Sequence, residues 1–149
     1  MNWIYRDKEI LSKDDFPEET YGFVYKITHT PSNKSYLGKK VLIHNKKTKL
    51  TKKDLLMYEG VPGRKPTYKI VQKDSSWKSY YGSNKSLMEL VQTESLKNFK
   101  REILILCTTK KLLTYYETQA LFTYRVLEKD DIWFNDNILG KFFRKDFDM

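Results

Sequence analysis

Apolar and polar positions first fall into a pattern at residues 21–28, where Tyr21-Gly22-Phe23-Val24-Tyr25-Lys26-Ile27-Thr28 concentrates aromatic and β-branched side chains. Such a run favours a pleated, half-buried strand. Pro31-Ser32-Asn33-Lys34 supplies turn residues, and Ser35-Tyr36-Leu37-Gly38-Lys39-Lys40 resumes the strand pattern. Together they predict a β-hairpin with a longer loop. Side chains alternate faces along a strand. Phe23, Tyr25 and Ile27 therefore share one face, and Tyr36, Gly38 and Lys40 share one face of the partner strand.

Between residues 41 and 76 the pattern lapses. Residues 51–58 predict a short helix, and Gly60-Val61-Pro62-Gly63-Arg64-Lys65-Pro66 a loop. Ser83 is placed to cap a helix over 84–93, with Leu87, Leu90 and Val91 at helical spacing. Residues 99–107 contain Ile103-Leu104-Ile105-Leu106 and fit a buried central strand. Thr108 or Thr109 then caps a helix predicted over 110–127, with Leu113, Tyr116, Ala120, Tyr124 and Leu127 along one side. The order strand, strand, insert, helix, strand, helix predicts a small α+β domain over 21–140, with a three-stranded sheet flanked by helices. Residues 1–20 read as an N-terminal arm, 41–76 as a basic insert after the second strand, and 141–149 as a basic-aromatic tail.

Composition narrows this picture. A chain of 149 residues, 40% hydrophobic, has material for one folded domain. The single cysteine, Cys107, lies in the apolar run and reads as a small buried hydrophobe in a reducing compartment. No apolar stretch reaches the ~18 residues needed to span a membrane, and residues 1–15 lack a signal-peptide core. A soluble, cytoplasmic protein is expected. The net charge of +9 is concentrated: between Lys39 and Lys73 eleven basic residues face two acids. A concentrated basic segment is the footprint of a polyanion binder. Lys39, Lys46, Lys47, Lys65 and Lys69 are the expected polyanion contacts, and Trp77 either stacks on the bound polymer or braces the fold, core packing being the commoner role.

Three groups could carry chemistry. Tyr25 and Tyr36 lie on the hairpin with Gly38 and Lys40, and a glycine inside a strand often marks close approach by a ligand or another backbone. Glu117 falls on or beside the apolar side of the last helix. Such a carboxylate needs a cation, a metal or a wet cleft, or it must face solvent at the edge of the stripe. Trp133-Phe134-Asn135-Asp136-Asn137 clusters amides with aromatics, which can orient a site or form an Asx turn.

Phe23-Val24-Tyr25, ten further residues and then Tyr36-Leu37-Gly38 resemble the paired tyrosine motifs of the GIY-YIG nucleases. Phe23 departs from the first motif's opening glycine, although Gly22 precedes it; Val24 and Leu37 each replace isoleucine. Tyr115-Tyr116-Glu117 resembles the family's glutamate helix, and Phe134-Asn135 its closing asparagine motif. Gly38-Lys39-Lys40, the segment Trp77 to Ser83 and the segment Asn135 to Gly140 are similar to small phage-encoded, free-standing members of the homing type.

The resemblance implies an antiparallel sheet and a metal-dependent endonuclease acting on double-stranded DNA in the host cytoplasm, with no membrane or protein partner evident. In this reading Glu117 holds a divalent metal, Mg²⁺ first. Tyr25 or Tyr36 orients or deprotonates the attacking water, and Asn135 or Asn137 positions the glutamate or the backbone. The family's helix arginine has no counterpart at the expected spacing, so Lys40, or next Arg64, would stabilise the phosphate. A lysine beside a phenol could lower its pKa toward a useful base. A non-catalytic DNA-binding module on the same fold, and a restriction or repair nuclease, are the competing readings.

Overall fold

The computed structural model describes residues 1–147, apart from the side chains of Asn45 and Lys46. Two compact units emerge, Met1–Leu42 with the chain from Ser76 onward, and Ile43–Ser75.

The first unit is built on a five-stranded sheet, ordered β2-β1-β7-β3-β4. Its strands are β1 (Trp3–Tyr5), β2 (Lys8–Ile10), β3 (Gly22–His29), β4 (Lys34–Val41) and, after the insert, β7 (Phe99–Cys107). The expected hairpin is present, with Tyr25 opposite Gly38 and Tyr36 opposite Ile27. The three-stranded antiparallel sheet is corrected on two counts: the stretch read as an arm adds two strands, and β1 runs parallel to β7. Both added strands are three residues long and turn through Arg6 and Asp7, at φ 49° and 67°. Two successive positive φ angles form the tight turn usually written with Asn-Gly. Trp3 is buried at the start of β1 and donates Nε1–H to the Trp77 carbonyl at 2.8 Å.

One face of the sheet is covered by α3 (Lys110–Thr123), capped by Thr109, whose Oγ1 accepts from the Leu112 amide. Val24, Leu37, Cys107, Leu113, Ala120 and Leu121 form that core. Gly22 allows α3 to come close, since a Cβ there would lie 2.8 Å from Leu113 Cδ2 and 2.6 Å from the Lys40 carbonyl. The helix ends earlier than its apolar spacing predicts. Arg125 takes the left-handed conformation, φ 54°, and Val126 and Leu127 are buried by the chain that follows the helix. The other face carries Phe23, Tyr25 and Ile27. Phe16 and Trp77 pack there, and Leu87 comes from α2 (Lys85–Thr93). The cap of α2 is Asn84 rather than Ser83, its Oδ1 accepting from the Leu87 amide. Beyond α3, β8 (Asn137–Ile138) and β9 (Phe142–Phe143) form a small ribbon.

The basic insert forms the second unit and is more regular than its sequence predicts. Strand β5 (Ile43–Lys49) pairs antiparallel with β6 (Tyr68–Asp74) over seven residue pairs. Between them lie the short α1 (Lys52–Leu56) and a loop. Thr51 and Asp54 cap α1 reciprocally, and Lys69 Nζ lies 2.7 Å from Asp54 Oδ2.

Candidate active site

The hairpin register sets Tyr25 and Tyr36 diagonally on one face, ring centroids 6.2 Å apart. Gly38 is bare because the Tyr25 phenol lies over it: a Cβ at residue 38 would stand 2.6 Å from Tyr25 Oη and 3.0 Å from Tyr36 Cε1. Tyr25 is 1% exposed and donates to Tyr80 Oη at 3.4 Å. Tyr36 is half-buried, with its hydroxyl 3.2 Å from Ser83 Oγ. Lys40, next on that face, holds its ammonium 4.2 Å from the Tyr80 ring centroid. Tyr80 is fixed from behind by Arg101, a buried residue of β7 that donates to the carbonyls of Lys78, Tyr80 and Met1. Its guanidinium stacks over the Tyr81 ring at 4.1 Å.

Beside the hairpin, α3 brings Glu117 to a polar cleft of about 120 Å³ lined by Tyr36, Leu37, Glu117, Asn135, Asp136 and Asn137. The Glu117 side chain is 17% exposed, and Lys39 Nζ stands 3.9 Å from its Oε1 while donating to Thr114 Oγ1 at 3.0 Å. Asn135 is buried. Its Oδ1 accepts from the Leu37 amide at 3.0 Å, and its Nδ2 donates to the Leu37 carbonyl at 2.8 Å. Its amide is thus committed to the backbone next to Tyr36, which makes it a positioning residue. The main chain before it continues the same edge: Ser35 N donates to Ile132 O and Phe134 N to Ser35 O. Arg144 holds that segment, donating to the carbonyls of Val126, Trp133 and Asn135.

Burial governs the ionisation of the site. It raises the Tyr25 phenol well above its ordinary value, reinforced by Tyr80 and Tyr36. It raises Tyr36 as well, although the Ser83 hydrogen bond pulls the other way. It lowers Lys40. The expected lysine-assisted lowering of a tyrosine is therefore corrected, because loss of water around both phenols outweighs any field from Lys40. At neutral pH both hold their protons and act as hydrogen-bonding groups. Burial also raises Glu117, with Lys39 opposing.

A carboxylate that is mostly buried, weakly paired and turned to a polar cleft fits a hard cation. Magnesium keeps several waters and takes one or two carboxylates plus phosphate oxygens. Among the described residues, no group of three or more His, Cys, Asp and Glu side chains forms a chelating cluster, as a closed structural site would require.

Of the two roles open to Trp77, stacking on DNA is corrected and core packing is found: the indole is 4% exposed and packs edge-on against Phe16. Cys107 is buried, and burial pushes its thiol up, as a packing residue requires. Lys47, Arg64 and Lys65 are exposed on the second unit, and Lys69 is paired with Asp54. Lys46 lies on β5, but its side chain is outside the described residues. Sequence reading gave Ser83 a helix cap rather than a place beside Tyr36, missed Arg101 and Arg144, and gave Tyr80 no place beside Tyr25. Only the dense string Trp77-Lys78-Ser79-Tyr80-Tyr81 hinted at the last. No helix among the described residues is long and apolar enough to cross a membrane.

A family model described as "Putative endonuclease segE, GIY-YIG domain" matches residues 3–138. No curated protein and no solved structure matches the chain.

Proposed function

The chain belongs to the GIY-YIG nuclease family, and from that premise we propose that it is a metal-dependent DNA endonuclease of the free-standing homing type, hydrolysing phosphodiesters at the cleft between β4 and α3. One observation carries the proposal: Tyr36 and Glu117, from a strand and a helix far apart in sequence, line the same polar cleft. Glu117 would hold a divalent cation, Mg²⁺ first, which when bound would supply Lewis-acid stabilisation of the charge that develops on the phosphate and on the departing 3′ oxygen. Tyr36, half-exposed and protonated, accepts a hydrogen bond from the attacking water and donates to a non-bridging phosphate oxygen; as the water oxygen bonds to phosphorus and the bond to the 3′ oxygen breaks, the water's proton passes through the phenol to that phosphate oxygen and on to the 3′ oxygen. Tyr25, too buried to meet substrate in this arrangement, fixes the pocket behind it with Tyr80. Lys40 supplies the charge that stabilises the phosphate in place of an arginine. Lys39 stays beside Glu117 and screens it until DNA arrives. Arg64 belongs to the second unit, and with Lys47 and Lys65 it serves DNA contact.

Supercoiled plasmid incubated with Mg²⁺ tests this directly, wild type beside Glu117→Ala. Nicked or linear product from wild type, reduced by at least about 100-fold in the variant, supports the proposal. Equal cleavage by both removes Glu117 from the mechanism. DNA binding with no cleavage under any divalent metal would make the chain a binding module on a nuclease fold.

A further inference from the structure

The two faces of the β5–β6 ribbon are unequal. On one, Thr48, Lys69 and Val71 are half-buried, and α1 occupies Lys69 through Asp54. On the other, five described side chains are exposed. Lys47 pairs with Ile70 and Lys49 with Tyr68, and Gln72 follows two residues beyond Ile70, so the five point the same way. Ile70, in mid-strand, is 73% exposed and Tyr68 48%. Lys47 Nζ stands 4.7 Å from the Tyr68 ring centroid on this face. The unit carries nine lysines and arginines against three acids, a net charge of +6.

An isoleucine in solvent at the centre of a strand gives its own unit little stability. The residues around it are the types that distinguish base edges: lysine for guanine O6 and N7, glutamine for adenine N6 and N7, an apolar group for the thymine methyl. A two-stranded ribbon fits the ~12 Å major groove of B-form DNA. Seven residues at ~3.3 Å each follow about six base pairs. The major groove of A-form RNA is too narrow to admit it.

We propose that the exposed face of this ribbon, Lys47, Lys49, Tyr68, Ile70 and Gln72, enters the major groove of duplex DNA and reads its sequence. The inference rests on the endonuclease reading and adds to it the source of site selection, in a unit separate from the cleft residues.

The test uses full-length Glu117→Gln, so that bound DNA is not cut, and selects from a randomised DNA duplex library at moderate salt. A consensus of about six base pairs is expected. Ile70→Ala with Gln72→Ala should lower the ratio of consensus to scrambled binding by about tenfold or more. Thr48→Ala, on the covered face, should leave that ratio unchanged. Gln72→Glu, also exposed, should shift the preferred base from adenine toward cytosine. Guanine N7 methylation inside the consensus should block binding. An absent consensus, a ratio indifferent to Ile70 and Gln72, insensitivity to N7 methylation, or equal competition by duplex RNA would each overturn the base-reading role and leave the cleavage proposal standing. Failure to bind any DNA duplex even at low salt would remove both.

Discussion

Gly38 faces a phenol. The Tyr25 hydroxyl occupies the space where any other residue would carry its Cβ, so glycine at 38 and tyrosine at 25 are one requirement seen from two strands. Gly38→Ala should cost about 1–3 kcal/mol, as overpacking in a tight core does, and should displace the Tyr25 ring. Thermal denaturation of the single variants and the double variant with Tyr25→Leu checks the cause. The alanine penalty should shrink in the leucine background; an undiminished penalty would place the strain elsewhere. Glu117 makes a different demand. Its folded pKa is raised by burial, so its contribution to stability is intact below the ordinary glutamate pKa and is lost as pH rises through the higher folded value. At pH 7, above the ordinary glutamate range, the buried carboxyl therefore costs stability, and Glu117→Gln should stabilise the fold by roughly 0.5–2 kcal/mol, seen as a higher melting temperature. The gain should fade below about pH 4. Wild type and variant melting together across that range would refute it. Both tyrosines and the glutamate were readable from the chain because strand alternation and helix spacing fix their direction. The ionisation of the phenols was not, because it depends on Tyr80 and Trp3, which pack around Tyr25 from distant segments.

Among the elements, β4 is an edge strand, and edge strands expose backbone groups that must be covered. Here the cover is the segment 132–135, which bonds Ser35 through its main chain and Leu37 through the Asn135 amide. Asn135→Ala leaves the Leu37 N–H and carbonyl buried without their partner, a loss of about 1–3 kcal/mol. Activity should fall with it, since Tyr36 is the adjacent residue. Asn135→Asp keeps the acceptor and loses the donor, so it should fall between. Unfolding curves for the pair decide the point: an alanine variant as stable as wild type would show that the amide does not hold the edge. Several elements escaped the sequence for local reasons. β1 and β2 have three residues each and turn on Arg6-Asp7 without glycine or asparagine. β5 is mostly lysine, histidine, asparagine and threonine, so it has no apolar alternation to betray it. α3 stops at Thr123 because Arg125 turns left-handed, a choice its composition does not advertise.

For the whole molecule, the α+β class, the hairpin and the central strand were legible, because each rests on long or strongly periodic runs. The size of the sheet was not, since it depends on a pairing between residues 3–5 and 101–103 that nothing local announces. The excess charge was legible as a total and as a segment. Its division between a covered and an exposed ribbon face required the strands to be known. The position of β7 has a consequence for how the protein comes into being. It lies between β1 and β3, both of which are synthesised long before it. At about 5–20 residues per second, roughly 5–20 s separate translation of β1 from that of its partner. Until then the nascent chain holds two strands with no central neighbour, while the second unit, whose β5 and β6 pair only with each other, is free to close first. The ribbon proposed to read DNA can therefore form before the cleft proposed to cut it, which waits for β7, α3 and the segment 132–135.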